Sequence, residues 1–429
     1  MKVFIHTLGC KVNQYESQAM AELFEKQGHA VVIQPEQAEV FVVNSCTVTA
    51  ESDKKTKKTI RRFRGLNPNS IVIVTGCMTQ AFPSQASSLD ADIIIGNKGY
   101  SRLPLLLNEF VKTHKRIVAI QPHLSDDKFE ASEISQFNER TRAYLKIEDG
   151  CNRFCSYCII PTARGRVRSK PIDCIRQEAG MLAKAGFCEI VLVGINLSAF
   201  GRDIGAELCD AVSAINDIDG IKRIRLGSLE PDQISDKTLD FLSHCEKFCP
   251  QFHLSLQSGC DKTLAAMNRH YDTAFYYELI TRIRSKFDVP SITTDVMVGF
   301  AGETELDFEQ SANFVKKAGL ARAHVFAYSR RTGTKADKMA LQVDESTKAE
   351  RSRKMIEICD AAALAFHKSQ VGKTFEVLFE TFNNGGYYEG YTKNYTKVKV
   401  KTPLDVQNKI MNVTITDAFS SYCLGEIEQ

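Results

Sequence analysis

Short runs of β-branched residues alternate with stretches of helical length along most of this chain of 429 residues. Such alternation is typical of βα units, in which helices connect parallel strands. The first 115 residues contain four of these runs, namely Val3–Thr7, Val40–Val43, Ile71–Val74 and Asp92–Ile95. They predict an α/β fold that begins with a doubly wound parallel sheet over residues 1–115.

A second series of six runs lies between Ala143 and Ser329. Its members are Tyr144–Ile147, Ile190–Val193, Arg223–Leu226, His253–Leu256, Thr294–Val298 and His324–Ala327. Six βα units predict a partial barrel of the TIM type, and a helix over 345–370 closes this domain, which spans 137–370. The preceding residues 116–136 are rich in Gln, Pro, Ser, Asp and Glu, which indicates a linker or a peripheral strand.

The C-terminal residues 371–429 hold only short alternating runs, which predict a small antiparallel β-barrel. The runs are Phe375–Phe379, Tyr387–Tyr391, Lys397–Val400 and Met411–Ile415. An Asn-Asn-Gly-Gly sequence at 383–386 predicts a turn between the first two.

The composition argues against a disordered, a fibrous or a membrane-spanning protein. An apolar content of 43% and a charged content of 25% are those of an ordinary globular protein. A signal-peptide core and any run of about 18 apolar residues are absent, so we expect a cytoplasmic protein with no membrane partner. The net charge of +3 is too small to indicate nucleic acid by itself. Thiols stay reduced in the cytoplasm, so the 14 cysteines favour metal ligands over disulfides.

Three cysteines follow the first strand of the predicted barrel with the spacing C-x3-C-x2-C, at Cys151, Cys155 and Cys158. A structural zinc site needs a fourth Cys or His, and the next ones downstream are Cys174 and His253. Three thiolates instead suit a four-iron cluster with one iron open to a ligand from outside the protein. The alternative is a loop with unrelated cysteines.

Three further cysteines share one structural position in the first domain. Cys10, Cys46 and Cys77 each follow a predicted strand, at the end where an open α/β sheet binds its ligand. They are predicted to converge on a second cluster, again with an open iron. The alternative is that they are small buried apolar residues, as free cysteines often are.

Basic residues are clustered in three places, which together favour an anionic substrate. One cluster lies on a predicted helix and includes Lys54, Lys55, Lys57, Lys58, Arg61, Arg62 and Arg64. Another follows the cysteine loop, at Arg164, Arg166 and Arg168. The third is Lys397, Lys399 and Lys401, whose alternate positions on a strand share one face and predict a phosphate track. A solvated strand face is the alternative for this last cluster.

The C-x3-C-x2-C loop resembles that of the radical S-adenosylmethionine (SAM) superfamily. With both cysteine sets placed, nearly the whole chain resembles the methylthiotransferase family of that superfamily. The opening sequence at 7–17, Thr-Leu-Gly-Cys-Lys-Val-Asn-Gln-Tyr-Glu-Ser, and Val-Gly-Ile-Asn-Leu at 193–197 look like the branch that acts on threonylcarbamoyladenosine in tRNA. Sister branches, which act on isopentenyladenosine in tRNA or on a ribosomal-protein aspartate, remain alternatives, as does a non-enzymatic iron–sulfur RNA-binding protein.

The resemblance implies two 4Fe-4S clusters and SAM as cofactors, with transfer of a methylthio group to C2 of the modified adenosine at tRNA position 37. It implies a reductant such as flavodoxin or ferredoxin, and it leaves the sulfur donor unknown. It also implies that the barrel mouth binds SAM through Tyr157, Gly194, Asn196, Ser255, Gln257 and Asp295. The C-terminal barrel resembles the RNA-binding TRAM domain. The chain departs from the family pattern at Ala301 and Thr332, where proline is usual, which relaxes the backbone there.

For tRNA, this resemblance together with the basic clusters predicts contacts from two of the arginines on the helix, two that follow the cysteine loop and the three lysines on the strand. These residues are Arg61, Arg62, Arg164, Arg166, Lys397, Lys399 and Lys401.

Overall fold

The structure is a computed structural model and describes residues 1–132, 134–135, 141–383 and 385–428. Two sequence predictions lie outside these residues: Asn384 in the predicted turn, and the predicted domain boundary at 136–137. Among the described helices, none is long and apolar enough to cross a membrane. The predicted domain boundaries themselves stay predictions.

The first sheet has six parallel strands in the order β2-β1-β3-β4-β5-β6. The strands are β1 (Lys2–Thr7), β2 (Ala30–Val31), β3 (Val40–Ser45), β4 (Ile71–Gly76), β5 (Ile93–Ile95) and β6 (Ile117–Ala119). The helices are α1 (Lys11–Lys26), α2 (Ala50–Leu66), α3 (Cys77–Ala81), α4 (Pro83–Ala86) and α5 (Leu103–Thr113). For residues 116–136 the sequence predicted either a linker or a peripheral strand. The short strand β6 lies within this range, so part of the range is a peripheral strand.

Strand β3 shows why this sheet is doubly wound. All six of its residues are buried, and successive side chains point to opposite faces. Val40 and Val42 belong to the apolar cluster that contains residues of α1 and α5. Phe41 and Val43 pack with Phe63 of α2 in a separate cluster. Helices therefore cover both faces, which confirms the predicted α/β class.

The central domain has two parallel sheets, ordered β11-β10-β7 and β12-β13-β14-β15. Their strands are β7 (Arg142–Lys146), β10 (Glu189–Val193), β11 (Arg223–Leu226), β12 (Ser228–Leu229), β13 (Gln251–Leu254), β14 (Ser291–Val298) and β15 (Arg322–Ala327). A small antiparallel ribbon, β8 (Glu148–Asp149) and β9 (Arg168–Ser169), flanks the cysteine loop. Only Gly227 separates β11 from β12, so six successive strand units form the predicted incomplete barrel.

Eight helices alternate with these strands along the described residues. They are α6 (Ile160–Arg164), α7 (Ile172–Lys184), α8 (Leu208–Asn216), α9 (Asp236–His244), α10 (Asp261–Ala266), α11 (Thr273–Lys286), α12 (Glu305–Ala318) and α13 (Glu345–Lys368). The last of them is the helix predicted over 345–370. Asp344 caps it by accepting from the backbone N–H of Thr347 at 2.9 Å.

The C-terminal domain is a closed barrel with the order β16-β17-β18-β20-β19. Its strands are β16 (Thr374–Phe382), β17 (Tyr388–Thr392), β18 (Lys397–Val400), β19 (Ile410–Ala418) and β20 (Cys423–Ile427). The predicted small barrel is confirmed. It is not antiparallel throughout, as predicted, because a fifth strand, β20, closes it by parallel pairing with β18.

Arginines of the central barrel hold the C-terminal barrel in place. Arg223 donates to the carbonyl oxygens of Tyr391 and Glu376, both at 2.9 Å. Arg142, the first residue of β7, pairs with Glu380 at 2.6 Å. The C-terminal barrel therefore packs near the start of β7, whereas the cysteine loop follows the other end of that strand.

Candidate active site

The first cysteine triplet lies at the carboxyl ends of β1, β3 and β4, which are neighbours in the first sheet. Cys46 and Cys77 directly follow their strands, and Cys10 is the N-cap of α1. The pKa of Cys77 is raised to about 12: burial raises it most, Arg164 lowers it, and thiolates at Cys46 and Cys10 raise it. Three thiols far apart in sequence thus sit in one electrostatic environment.

Two glycines shape this triplet. Gly9 and Gly76 have φ values of +105° and +102°, where a side chain is strained. A Cβ on Gly9 would lie 3.0 Å from Cys46 Sγ, and one on Gly76 would clash with the Ser45 carbonyl oxygen. The missing side chain lets Gly9 approach the Cys46 thiol, and at Gly76 it lets the backbone lie against Ser45, the residue before Cys46.

We expect Gly76→Ala to lower the free energy of unfolding by about 3 kcal/mol, because it adds a backbone clash to a strained φ. Gly28→Ala is the matched control: Gly28 has a φ of +81°, but a Cβ added there would have no described atom within 4 Å. Its cost is limited to the backbone, about 1 kcal/mol. Urea unfolding of both apoproteins measures the difference, and equal losses would contradict the close packing at Gly76.

The second triplet lies in the loop between β8 and α6. Cys151 begins the loop, where its backbone N–H donates to the Gly165 carbonyl at 3.0 Å. The pKa of Cys151 and that of Cys158 are each raised to about 12, chiefly by burial, and a Cys155 thiolate contributes to both shifts. Arg269 donates from Nη1 to Cys155 Sγ at 3.2 Å. In this loop too, a cationic side chain donates to one thiol of the triplet.

The chemistry of these donors fits two iron–sulfur clusters. All six cysteines are free thiols. Within the described ranges, no three His, Cys, Asp or Glu side chains have the arrangement that would hold a metal ion. In a four-iron cluster each thiolate binds a different iron, so its ligands lie farther apart than those of one ion. A cationic hydrogen-bond donor at a sulfur of each triplet suits the negative charge of such a cluster.

A buried charge network lies between the two triplets. Arg164, at the end of α6, donates from Nε to Cys77 Sγ at 3.1 Å and pairs with Glu16 of α1, with 2.9 Å between Nη2 and Oε2. Lys146 of β7 bonds to both Glu16 and Asp149 at 2.7 Å. The network joins the first sheet to the cysteine loop through side chains of both domains.

This network corrects one predicted tRNA contact. Arg164 is fully buried, so it does not present its charge to a phosphate. The sequence places it beside Arg166 and Arg168, which suggested a basic surface, but Glu16 and Asp149 draw its guanidinium inward. Arg166 is exposed and remains a predicted contact.

The predicted SAM residues Gly194 and Asn196 lie just beyond the end of β10, against Glu148. The backbone N–H of Asn196 donates to Glu148 Oε2 at 2.7 Å, and a Cβ on Gly194 would lie 2.7 Å from the same oxygen. Burial raises the pKa of Glu148 well above its usual range. Asn196 Oδ1 and Glu148 Oε1 are buried without a hydrogen-bond partner among the described residues, as expected at a site that receives a polar ligand.

The other predicted SAM residues lie at the ends of β13 and β14 and beside the cysteine loop. Gln257 has a φ of +68°, and its N–H donates to the Asp295 carbonyl at 2.9 Å. Ser255 directly follows β13, and its carbonyl accepts from Arg269 Nη2 at 3.2 Å. Tyr157, within the cysteine loop, packs its ring 6.4 Å from that of Phe300. Their contacts with SAM stay predictions.

Sequence reasoning missed Arg269, Glu230 and Glu148. Arg269 pairs with Glu230 and also reaches Cys155. It follows α10, more than a hundred residues after the cysteine loop, so no spacing links it to the thiols. Glu148 lies two residues before Gly150 in the strand that enters the loop, and an acidic residue in a predicted buried strand was the available signal.

The basic clusters differ in how freely they face solvent. On α2 the exposed residues are Lys54, Lys55, Lys57, Lys58, Arg61 and Arg62. Arg64 turns inward and pairs with Asp92 at 2.9 Å. Lys397 and Lys399 face the same side of β18, as predicted, but both pair with Glu389, at 2.6 and 3.1 Å. Lys401 lies beyond the strand and is exposed.

Two family models match the chain. Residues 2–96 match the uncharacterized protein family UPF0004, and residues 145–315 match the radical SAM superfamily. Among solved structures, the radical SAM methyltransferase TsrM from Kitasatospora setae superposes with a TM-score of 0.56 at 13% identity, covering 76% of this chain and 72% of that one. Residues 145–315 therefore belong to the radical SAM class, and the superposition shows a shared fold.

Named relatives identify the family within the radical SAM class. The threonylcarbamoyladenosine tRNA methylthiotransferase MtaB of Bacillus subtilis is 35% identical over 99% of this chain and 96% of its own length. MtaB of Thermotoga maritima is 37% identical over 92% and 90%. A tRNA-2-methylthio-N(6)-dimethylallyladenosine synthase of Clostridium botulinum is 34% identical over 99% and 96%. The chain belongs to the radical SAM methylthiotransferase family.

Proposed function

We propose that this protein is a cytoplasmic tRNA methylthiotransferase that modifies C2 of N6-threonylcarbamoyladenosine at position 37. The observation that carries the proposal is the pair of cysteine triplets, one at the end of the first sheet and one in the barrel loop, joined through the Arg164 network. A methylthiotransferase needs one site for the sulfur and one for SAM cleavage, and this chain has two separate sets of thiols.

When bound, two 4Fe-4S clusters and SAM supply the sulfur-binding site, the methyl group and the one-electron chemistry at C2. The protein supplies position and exclusion of water. Cys151, Cys155 and Cys158 hold one cluster, and the unpaired Glu148 Oε1 and Asn196 Oδ1 receive polar groups of SAM. Cys10, Cys46 and Cys77 hold the other. The adenine enters between them after it unstacks from the anticodon loop.

Sequence identity does not separate the two tRNA substrates, because relatives from the two branches are almost equally identical to this chain. The choice of threonylcarbamoyladenosine therefore rests on individual residues. Lys11, next to Cys10, has its ammonium 6.0 Å from the centre of the Tyr144 ring. Lys11 is exposed, so its ammonium is accessible to a substrate. The threonylcarbamoyl group carries a carboxylate and the isopentenyl group does not, so this ammonium favours the former.

The test uses the reconstituted full chain with two tRNAs, one bearing threonylcarbamoyladenosine and one bearing isopentenyladenosine. We expect methylthio product from the first only, read by mass spectrometry of nucleosides. Lys11→Gln should reduce turnover of the first tRNA roughly 10-fold or more, since a charge-assisted hydrogen bond contributes about 1.5–3 kcal/mol. Conversion of only the isopentenyl tRNA would establish the sister activity, and absence of SAM cleavage would favour the non-enzymatic alternative.

Docking of tRNA is assigned to the exposed face of α2 together with the TRAM-like C-terminal barrel. Within the part of the chain that the structure describes, the six exposed basic residues of α2 make one ion pair, between Lys54 and Glu51 at 3.8 Å, both well exposed. Lys397 and Lys399 share the single carboxylate of Glu389, which offsets one of the three positive charges of β18 and its extension. We propose that α2 is the stronger phosphate contact, that Arg166 and Lys401 add to it, and that a flavodoxin or ferredoxin supplies electrons.

Replacing the six exposed basic residues of α2 with alanine should weaken tRNA binding and flatten its salt dependence. Each lost phosphate contact removes about 0.9 from the slope of log K against log salt. Lys397→Ala, Lys399→Ala and Lys401→Ala together should change the slope less. SAM cleavage without tRNA should be the same in both variants. Unchanged slopes in both would show that these are ordinary solvated faces and leave Arg166 as the predicted contact.

A further inference from the structure

Among the described residues, each cysteine triplet has one arginine whose guanidinium donates a hydrogen bond to one of its sulfur atoms. Arg164 Nε lies 3.1 Å from Cys77 Sγ in the first triplet, and Arg269 Nη1 lies 3.2 Å from Cys155 Sγ in the second. Both guanidinium groups are buried. Arg269 and the thiol that it contacts both belong to the central domain. Arg164 also belongs to the central domain, but the thiol that it contacts, Cys77, belongs to the first domain.

The charges around Arg164 leave an excess of positive charge. Arg164, Lys146 and Arg168 are three cations, and Glu16 and Asp149 are the two carboxylates that pair with them. Three positive and two negative charges leave one positive charge. All five side chains are buried, so water screens this charge weakly. Of the three cations, Arg164 is the one that contacts Cys77.

We propose that Arg164 is a positioning residue that sets the reduction potential of the cluster held by Cys10, Cys46 and Cys77 and fixes that cluster relative to the cysteine loop. The inference rests on the first-domain cluster of the proposed function. Reduction adds an electron to a cluster, so a cation that donates to a ligating sulfur stabilises the reduced form and raises the potential. Arg164 suits both parts of the role, because its planar group bonds Cys77, Asn13 and Glu16 at once.

The experiment is a redox titration of the anaerobically reconstituted full chain, followed by electron paramagnetic resonance. Arg164→Gln should shift the reduction potential of the first-domain cluster downwards. Arg164→Lys should shift it less, because lysine keeps the positive charge but lacks the forked N–H donors of the guanidinium. The loop cluster should not shift. Arg269→Gln is the matched control and should give the reverse pattern. Signals are assigned by repeating the titration with Cys151, Cys155 and Cys158 replaced by alanine.

A second variant covers the case in which Arg164→Gln fails to hold its cluster. Glu16→Gln keeps Arg164 and removes the negative charge that opposes it, so the first-domain potential should rise. Unchanged first-domain potentials in Arg164→Lys and Glu16→Gln, with iron content intact, would overturn the inference. If the wild-type chain holds no first-domain cluster, the proposed function fails together with the inference, and iron content alone distinguishes that result.

Discussion

A variant with Cys10, Cys46 and Cys77 all replaced by alanine is expected to form no methylthio product while it still cleaves SAM. The three thiols lie at the ends of neighbouring strands of the first sheet, and the loop with Cys151, Cys155 and Cys158 belongs to the central barrel. Removing the first set leaves the second intact. The measurements are 5′-deoxyadenosine release and methylthio nucleoside formation with the same enzyme and tRNA.

The control for this variant is Cys209→Ala with Cys359→Ala, since both residues are buried free cysteines outside the two triplets. It should retain both activities and the full iron content. Methylthio product from the triple variant would mean that the first-domain cysteines are structural. Loss of SAM cleavage in the triple variant would instead mean that the Arg164 network needs Cys77 to keep the cysteine loop in place.

Most of the fold could be predicted from the sequence, because its strands are buried runs bounded by helical stretches. The first sheet shows the limit. Its four predicted strands are its centre, whereas β2 has two residues and β6 three, too few for a pattern of their own. Such edge strands form because a neighbouring strand offers its free hydrogen-bonding groups. β20 in the C-terminal barrel has five residues and was also missed; pairing with β18 and β19 on its two sides places it, and that pairing is not a feature of local sequence.

At the candidate site, position along a strand could be predicted but the direction of a side chain could not. Cys46 and Cys77 follow β3 and β4 as expected, because the end of a parallel strand is a feature of local sequence. Arg164 was assigned to the tRNA surface and is buried. Its partners are Glu16 and Asp149, one of them in another domain, and tertiary pairing of that kind leaves no local signal. The same holds for Arg269, whose contact with Cys155 joins distant parts of the chain.

Removing the three loop cysteines should abolish more activities than removing Cys10, Cys46 and Cys77. Replacing Cys151, Cys155 and Cys158 with alanine should abolish SAM cleavage and, with it, all methylthio product, because the proposed function places SAM at the barrel site. Iron content should fall by half, from about eight to about four atoms per chain, since the first triplet is in a separate domain. Iron analysis and 5′-deoxyadenosine release measure the two effects.

The matched control is Cys174→Ala with Cys188→Ala, two free cysteines of the central domain outside the loop. It should keep about eight iron atoms and full SAM cleavage. Loss of all iron from the loop variant would show that the two triplets hold iron only together, and an unchanged iron content would show that the loop holds none. Because Arg269 remains beside position 155, a chain with half its iron and no cleavage would tie the radical chemistry to the thiols themselves and not to the cationic pocket around them.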